Sequence, residues 1–261
     1  MGGGGVCVLS GAGLSTESGI PDYRGPTGAL HTRLPMTIAE FRGSPEARRR
    51  YWARAHIGWR RITDARPNGG HRAVAALQQA RVVRAIITQN VDGLHQAAGA
   101  RDVVELHGSL GRVVCLECGV VRTREAVDRR LRAANPDLGW AAAPASRPDG
   151  DAELTEQQVA RFRLVGCECC GADQLKPDVV FFGENVPRPR VQQCFELLDG
   201  SRCLLVLGSS LTVMSGLRFV HRARQAQIPV AIINRGATRG DPLADIKIDA
   251  ALGDVLPALI A

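Results

Sequence analysis

Four cysteines stand in two Cys-x-x-Cys-Gly knuckles, Cys115-Leu-Glu-Cys118-Gly119 and Cys167-Glu-Cys-Cys170-Gly171. Two such knuckles bring four thiolates to one tetrahedral Zn²⁺. Cys169 is the odd member, and pairing Cys167 with Cys170 keeps the same spacing on both sides. With sulfur in all four positions the ion has no open coordination site, so the expected role is structural. The spacer of 48 residues (119–166) exceeds that of a compact finger and must carry structure or loop of its own. Cys7, Cys194 and Cys203 lie in apolar patterns and read as core.

Other chemistry-bearing residues fall where short apolar runs stop. Gly11-Ala12-Gly13-Leu14-Ser15 follows Val6–Leu9, and Gly19-Ile-Pro-Asp22-Tyr23-Arg24 comes soon after. Glycines there let a backbone approach a pyrophosphate, although a tight strand–helix turn reads the same way. Gln89-Asn90-Val91-Asp92 follows Ala85–Thr88. Asn90 and Asp92 can bind an amide and a ribose, or cap the next helix. Gly208-Ser209-Ser210 follows Cys203–Leu207, and Asn234-Arg235-Gly236 follows Val230–Ile233. His107, in Glu105-Leu106-His107-Gly108, is either a base near neutral pH or a structural imidazole.

The elements that must position these residues are strands of four to six residues alternating with helical patterns, for example 71–80 and 213–226. Strand–helix alternation implies right-handed crossovers and a parallel sheet. Ligands of such sheets bind outside the carboxyl ends of the strands, where all four polar segments fall. The expected fold is α/β, a Rossmann-like parallel sheet with helices on both faces, plus a smaller zinc-binding lobe. Residues 1–24, 67–110 and 175–261 are assigned to the sheet domain, 25–66 to a helical insertion and 111–174 to the zinc lobe. No acidic residue stands convincingly about 20 positions after the first glycine loop, which disfavours a hydride-transfer dehydrogenase. Met1 is followed by four glycines and then the first strand, which reads as a frayed or trimmed start.

Composition narrows the class. The 261 residues are 45% hydrophobic but only 4% aromatic, so aliphatic side chains must fill the core. The net charge is +7, and all basic residues except Lys176 and Lys247 are arginines. They are scattered, which argues against a nucleic-acid surface. No apolar run reaches the roughly 18 residues a membrane span needs. No basic segment followed by a long apolar stretch opens the chain, so a cytoplasmic location is expected. Eight cysteines there indicate metal rather than disulfides.

Taken in order, the glycine loop, Gly19–Arg24, Thr88–Asp92, Glu105–Gly108, the two knuckles, Lys176-Pro-Asp178-Val-Val-Phe-Phe-Gly183-Glu184, Gly208–Ser210 and Asn234–Gly236 resemble the sirtuins over nearly the whole chain. Arg50-Tyr51-Trp52-Ala53-Arg54 and the long spacer look most like the class II branch. The resemblance implies an NAD-dependent protein-lysine deacylase, deacetylase by default. NAD is its consumed co-substrate, one Zn²⁺ is structural, and acylated-lysine peptides are its partners. It implies that Gly11, Ala12, Gly13 and Ser15 hold the pyrophosphate with Gly208, Ser209 and Ser210 nearby. Asn234, Arg235 and Gly236 would meet the adenosine half, and Leu252 would close over the adenine. Gln89, Asn90, Val91 and Asp92 would bind the nicotinamide ribose and carboxamide. Asp22, Tyr23 and Arg24 can clamp a cofactor or form a solvated loop with a local Asp–Arg pair; the resemblance implies that Tyr23 covers the site once nicotinamide leaves.

In the implied chemistry, the acyl oxygen attacks the ribose carbon bearing nicotinamide. His107 then serves as general base on the ribose hydroxyls, with Asn90 and Asp92 beside it. The products are nicotinamide, deacylated lysine and O-acyl-ADP-ribose. Val179–Glu184 and Gly208–Val213 would flank an extended peptide, although Val179–Phe182 also reads as a plain buried strand. Tyr51 and Arg54 share a helix face. They can hold the carboxylate of a succinyl-like acyl group or belong to a solvated face. Two alternatives remain: a mono-ADP-ribosyltransferase using the same NAD site, and a non-catalytic zinc lobe binding nucleic acid. The second needs a basic stripe with stacking aromatics, whereas the knuckles run into Gly119-Val120 and Gly171-Ala172.

Overall fold

The structure, a computed structural model, describes residues 5–22, 35–138 and 154–260. Tyr23 and Arg24 lie outside the described residues, as do residues 1–4. The described residues divide into two compact units. One comprises those of Met1–Leu30, Ala65–His107 and Val186–Ala261; the other comprises those of His31–Asp64 and Gly108–Asn185.

In the first unit, strands β1 (Val6–Ser10), β2 (Val83–Thr88), β3 (Val104–Glu105), β7 (Cys203–Leu207), β8 (Val230–Ile233) and β9 (Ile246–Ile248) form one sheet. Their order is β3-β2-β1-β7-β8-β9, and every pairing is parallel. The chain builds outward from β1 in one direction, then returns to β1 and builds outward in the other. The crevice of such a sheet opens where the order reverses, between the ends of β1 and β7.

Strand alternation sends side chains to both faces. Val8, Ile86, Leu207 and Ile233 pack with Ala73 and Val74 of α3 (Gly69–Gln79) and with Leu252 and Leu256 of α9 (Leu252–Ala258). Cys7, Leu9, Leu204 and Val206 point the other way and are fully buried. That face is covered by α7 (Arg188–Asp199) and α8 (Met214–Gln225), which bury Leu198, Phe219 and Val220. Helix α3 starts at a capping box, with Asn68 accepting from the His71 amide. A four-residue helix, α4 (Leu94–Ala97), follows the Asn90–Gly93 turn.

The second unit holds α1 (Ile38–Gly43), α2 (Pro45–Asp64), α5 (Arg124–Ala134), α6 (Glu156–Arg161) and an antiparallel sheet. The sheet runs β5 (Val121–Thr123), β4 (Gly108–Cys115), β6 (Leu175–Val179). Residues 108–110 and 175–185, expected with the parallel sheet, stand in the second unit because Gly108 pairs with Val179 and Cys115 with Leu175. Gly108 has φ +84°, and an added Cβ would lie 1.9 Å from the Asp178 carbonyl oxygen, so no other residue fits this crossing.

Helix α2 also departs from a solvated reading. Arg48 is buried and bonds the Phe41 carbonyl and Asp173, the latter at 2.8 Å. Tyr51 is buried among the rings of Phe41, Trp52 and Phe181. Arg124 of α5 lies over the rings of both Trp52 and Trp59, at 4.8 and 5.0 Å, and donates to the Ala55 carbonyl. His56 Nδ1 meets Asp128 at 2.5 Å. The few aromatics are thus concentrated in the smaller unit. No helix among the described residues is long and apolar enough to cross a membrane.

Candidate active site and metal centre

The ends of β1, β2, β7 and β8 deliver their polar residues to one edge, as the strand order requires. Gly11 N–H donates to the Leu207 carbonyl at 2.9 Å and Gly13 N–H to the Gly208 carbonyl at 2.8 Å. These glycines are demanded first by loop packing. A Cβ at Gly11 would stand 2.7 Å from the Ser209 Cβ, and one at Gly13 2.9 Å from the Gly208 Cα. Gly208, at φ +61°, faces Leu14 N and Leu252 Cδ1 in the same way. Leu252 is therefore packed onto the glycine loop, at the start of α9.

A hydrogen-bonded cluster follows. Asn90 Nδ2 donates to the Gly11 carbonyl and to Ser15 Oγ, both at 3.0 Å. Ser15 Oγ donates to Asp92 at 2.7 Å, and the other Asp92 oxygen accepts from Leu94 N–H at 2.9 Å. Asp92 therefore anchors the turn into α4 and belongs to the polar cluster; both readings hold at one residue. Burial pushes the Asp92 carboxyl above the usual carboxylate range, opposed by the Leu94 and Ser15 bonds. Gln89 Nε2 reaches Ser209 Oγ at 2.8 Å. Val91 is half-buried in the same turn, as Ala12 is in its own loop.

His107 joins through the Gln89 backbone. Its Nδ1 is 2.9 Å from the Gln89 carbonyl oxygen and its Nε2 2.9 Å from Ser215 Oγ. A carbonyl only accepts, so Nδ1 carries the hydrogen and Nε2 offers its lone pair. Burial lowers the His107 pKa; the Gln89 bond opposes this, while Arg190 and Arg218 add to it.

The Asn234–Gly236 loop stands at the next strand end. Asn234 Nδ2 donates to the carbonyls of Arg235 and Gly236, so its amide shapes its own loop. Asp249 accepts from Gly236 N–H and Lys247 donates to the Gly236 carbonyl, both at 2.9 Å. Arg235 is exposed. Ser210 Oγ accepts from Thr212, and Asp22 is half-buried. Neither Ser215 nor Asp249 carries a local sequence signal of its place here.

Beneath the cluster lies a buried imidazole pair. His95 Nε2 is 2.8 Å from Ser10 Oγ, which also bonds Thr88. The rings of His95 and His71 meet edge to face at 5.2 Å. His95 Nδ1 and His71 Nε2 have no hydrogen-bond partner among the described residues. Burial depresses His95 to about 4, and burial together with its neighbour depresses His71 to about 3. Both rings are therefore neutral in the fold, whereas in the unfolded chain they take protons near the usual 6.5. Their stabilising contribution is fully present above about pH 6.5 and is lost progressively as pH falls toward the folded values. Between pH 6.5 and 5 the pair is expected to cost on the order of 3 kcal/mol. Urea melts across this range should show the loss, and His95→Gln should flatten it. A stability independent of pH from 7 to 5 would contradict the neutral pair.

In the second unit, the sulfurs of Cys115, Cys118, Cys167 and Cys170 all lie within 4.8 Å of one another. Cys115 and Cys170 are 3.6 Å apart, Cys118 and Cys167 3.7 Å. A tetrahedron with Zn–S of about 2.3 Å has sulfur–sulfur edges of about 3.8 Å, so the four thiols fit zinc. Each knuckle closes with a glycine at positive φ, Gly119 at 73° and Gly171 at 77°. Their N–H groups return to the Cys115 and Cys167 carbonyls at 2.9 Å. Cys169 stays outside the quartet and donates its N–H to Cys167 Sγ.

A doubly wound parallel sheet with a polar crevice at its switch point, joined in one chain to a four-cysteine unit, defines a zinc-stapled nucleotide-binding protein. The Sir2 family profile matches residues 11–215. The NAD-dependent protein deacetylase 1 of Streptomyces coelicolor is 61% identical over 97% of this chain and 84% of its own. The NAD-dependent protein deacylase Sirt4 of Drosophila melanogaster is 48% identical over 97% of this chain and 82% of its own. A solved Sir2–p53 peptide–NAD+ complex superposes with a TM-score of 0.78 at 28% identity, covering 99% of this chain and 93% of that one. The chain belongs to the Sir2, or sirtuin, family.

Proposed function

We propose that this protein removes acyl groups from protein lysines at the expense of NAD. It is an NAD-dependent protein deacetylase, with NAD as co-substrate and one structural zinc. The observation that carries the assignment is His107, with its hydrogen on Nδ1 and a basic Nε2 that meets the Ser215 hydroxyl, on the polar edge formed by Asn90, Asp92 and Ser15. NAD supplies the ribose carbon that receives the acyl oxygen as nicotinamide leaves. The chain's own residues bind and orient. Asn90 and Asp92, fixed through Ser15, face the nicotinamide ribose. Ser209, Ser210 and the backbone of Gly11–Gly13 receive the pyrophosphate, and Asn234–Gly236 with Leu252 receive the adenosine half. His107 Nε2 takes the proton from a ribose hydroxyl. Cys115, Cys118, Cys167 and Cys170 hold zinc with sulfur in all four positions, a structural role.

The finer assignment is to the class II branch, supported by the identity to a Sirt4 deacylase and by the Tyr51–Arg54 segment. Tyr51 is packed into the aromatic core, which favours acetyl over a carboxylate-bearing chain. Incubation with NAD and a panel of acetyl-, succinyl- and long-chain acyl-lysine peptides, followed by mass spectrometry, tests both levels. Acyl loss matched by nicotinamide and O-acyl-ADP-ribose is expected, fastest for acetyl. ADP-ribose attached to protein without acyl loss would transfer the site to the mono-ADP-ribosyltransferase reading.

A further inference from the structure

Helix α8 begins beside the imidazole. An added Cβ at Gly216 would stand 2.5 Å from Gln89 Oε1, so the first turn of α8 lies close against the end of the Gln89 side chain, which a larger residue would displace. That approach has a consequence one residue earlier. The Gln89 carbonyl holds His107 Nδ1, and Ser215, on the same first turn, sets its hydroxyl 2.9 Å from Nε2. The ring is thus gripped at both nitrogens from within one unit, by a carbonyl on one side and a hydroxyl on the other.

The two grips differ in kind. A carbonyl accepts only, which fixes the hydrogen on Nδ1. A hydroxyl donates or accepts as needed. While the ring is neutral, Ser215 O–H donates to the Nε2 lone pair. When a substrate hydroxyl passes its proton to Nε2, the new N–H can donate to Ser215 Oγ after the serine hydrogen rotates away. The proton leaves the substrate oxygen and ends on Nε2, and no other group changes charge. Ser215 therefore has a bond to offer before and after the transfer. Its position on a helix packed against Gln89 keeps the ring plane the same in both states. Arg190 donates to the Leu106 carbonyl at 3.2 Å and steadies the backbone next to His107.

We propose that Ser215 is the positioning residue for His107, holding the ring plane while the Gln89 carbonyl keeps Nε2 the basic nitrogen, and yielding the Nε2 lone pair to the substrate hydroxyl. The inference rests on the deacetylase reading of the site, and its test separates the two. Ser215→Ala, Ser215→Thr and His107→Ala are compared in steady-state deacetylation, with ring ¹⁵N NMR of the histidines in the wild-type protein. Ser215→Ala is expected to lower kcat about tenfold with KM for NAD and peptide within about twofold, as loss of base positioning requires. Ser215→Thr, which keeps the hydroxyl, recovers most of that loss. The spectrum, assigned by the resonances missing in His107→Ala, shows His107 protonated at Nδ1 and not at Nε2.

Full kcat in a folded Ser215→Ala protein overturns the proposal. So does a threonine variant as slow as the alanine one. Should the alanine variant fail to fold, an Nε2–H tautomer in the wild type would overturn it on its own. Unimpaired deacetylation by His107→Ala would instead remove the reading of His107 on which the proposal stands.

Discussion

His107→Ala lowers kcat for deacetylation by about 10²–10⁴-fold, the range a positioned general base supplies. The zinc content and the melting temperature stay at wild-type values, because His107 is half-buried and its ring is in neither of the described apolar clusters. The pH profile of the intact enzyme carries a second signature. Burial lowers the His107 pKa, so the ring remains the free base at pH 7 and the acid limb of kcat/KM lies below 6.5. Nicotinamide release, followed continuously between pH 5.5 and 8.5, reads both effects. A variant retaining more than about a tenth of the wild-type rate would deny His107 the role of base.

Stripping the zinc is expected to act at a distance. Cys115 and Cys167 are not appended to the second unit but lie inside its core, with Phe41, Trp52, Val113 and Phe162. Structural zinc contributes about 10–16 kcal/mol of apparent binding free energy, comparable to a typical domain's whole stability of about 5–15 kcal/mol. Chelation, or Cys118→Ser, should release one zinc per chain, unfold this core and abolish deacetylation. Cys169→Ala should keep both metal and activity, since Cys169 stands outside the quartet. Metal analysis, near-ultraviolet circular dichroism and the peptide assay are read on the same samples. Activity that survives complete metal removal would mean that the second unit stands without its ion.

How much of this was legible beforehand depended on range. The knuckles are local, and spacing alone chose Cys167 and Cys170 over Cys169. The strands ending at Ser10, Thr88, Leu207 and Ile233 announced themselves by abrupt stops, and the stops themselves carried the site. Strands β3 and β9, of two and three residues, are too short to show a period. Val179–Phe182 reads as a buried strand, but the strand that forms is β6, which carries Lys176, Pro177 and Asp178 and shows no apolar run; only its partner β4 decides which sheet it joins. The arginine-rich α2 looked solvated because guanidinium partners such as Asp173 are distant in the chain. Ser215 escaped notice for the same reason, being 108 residues from the imidazole it touches.

The strand order also sets a timetable for synthesis. Strand β1 is sandwiched between β2 and β7, and Val6 waits for Cys203 as well as Val83. With ~200 residues between them, the wait lasts about 10–40 s at 5–20 residues per second. During that interval one edge of the first strand is open, and the glycine loop after it has nothing to close upon. All four zinc ligands leave the ribosome before β7 does. The polypeptide that makes the metal centre is thus complete while the catalytic edge still lacks Gly208, Ser209 and Ser215, which the last-made third of the chain supplies.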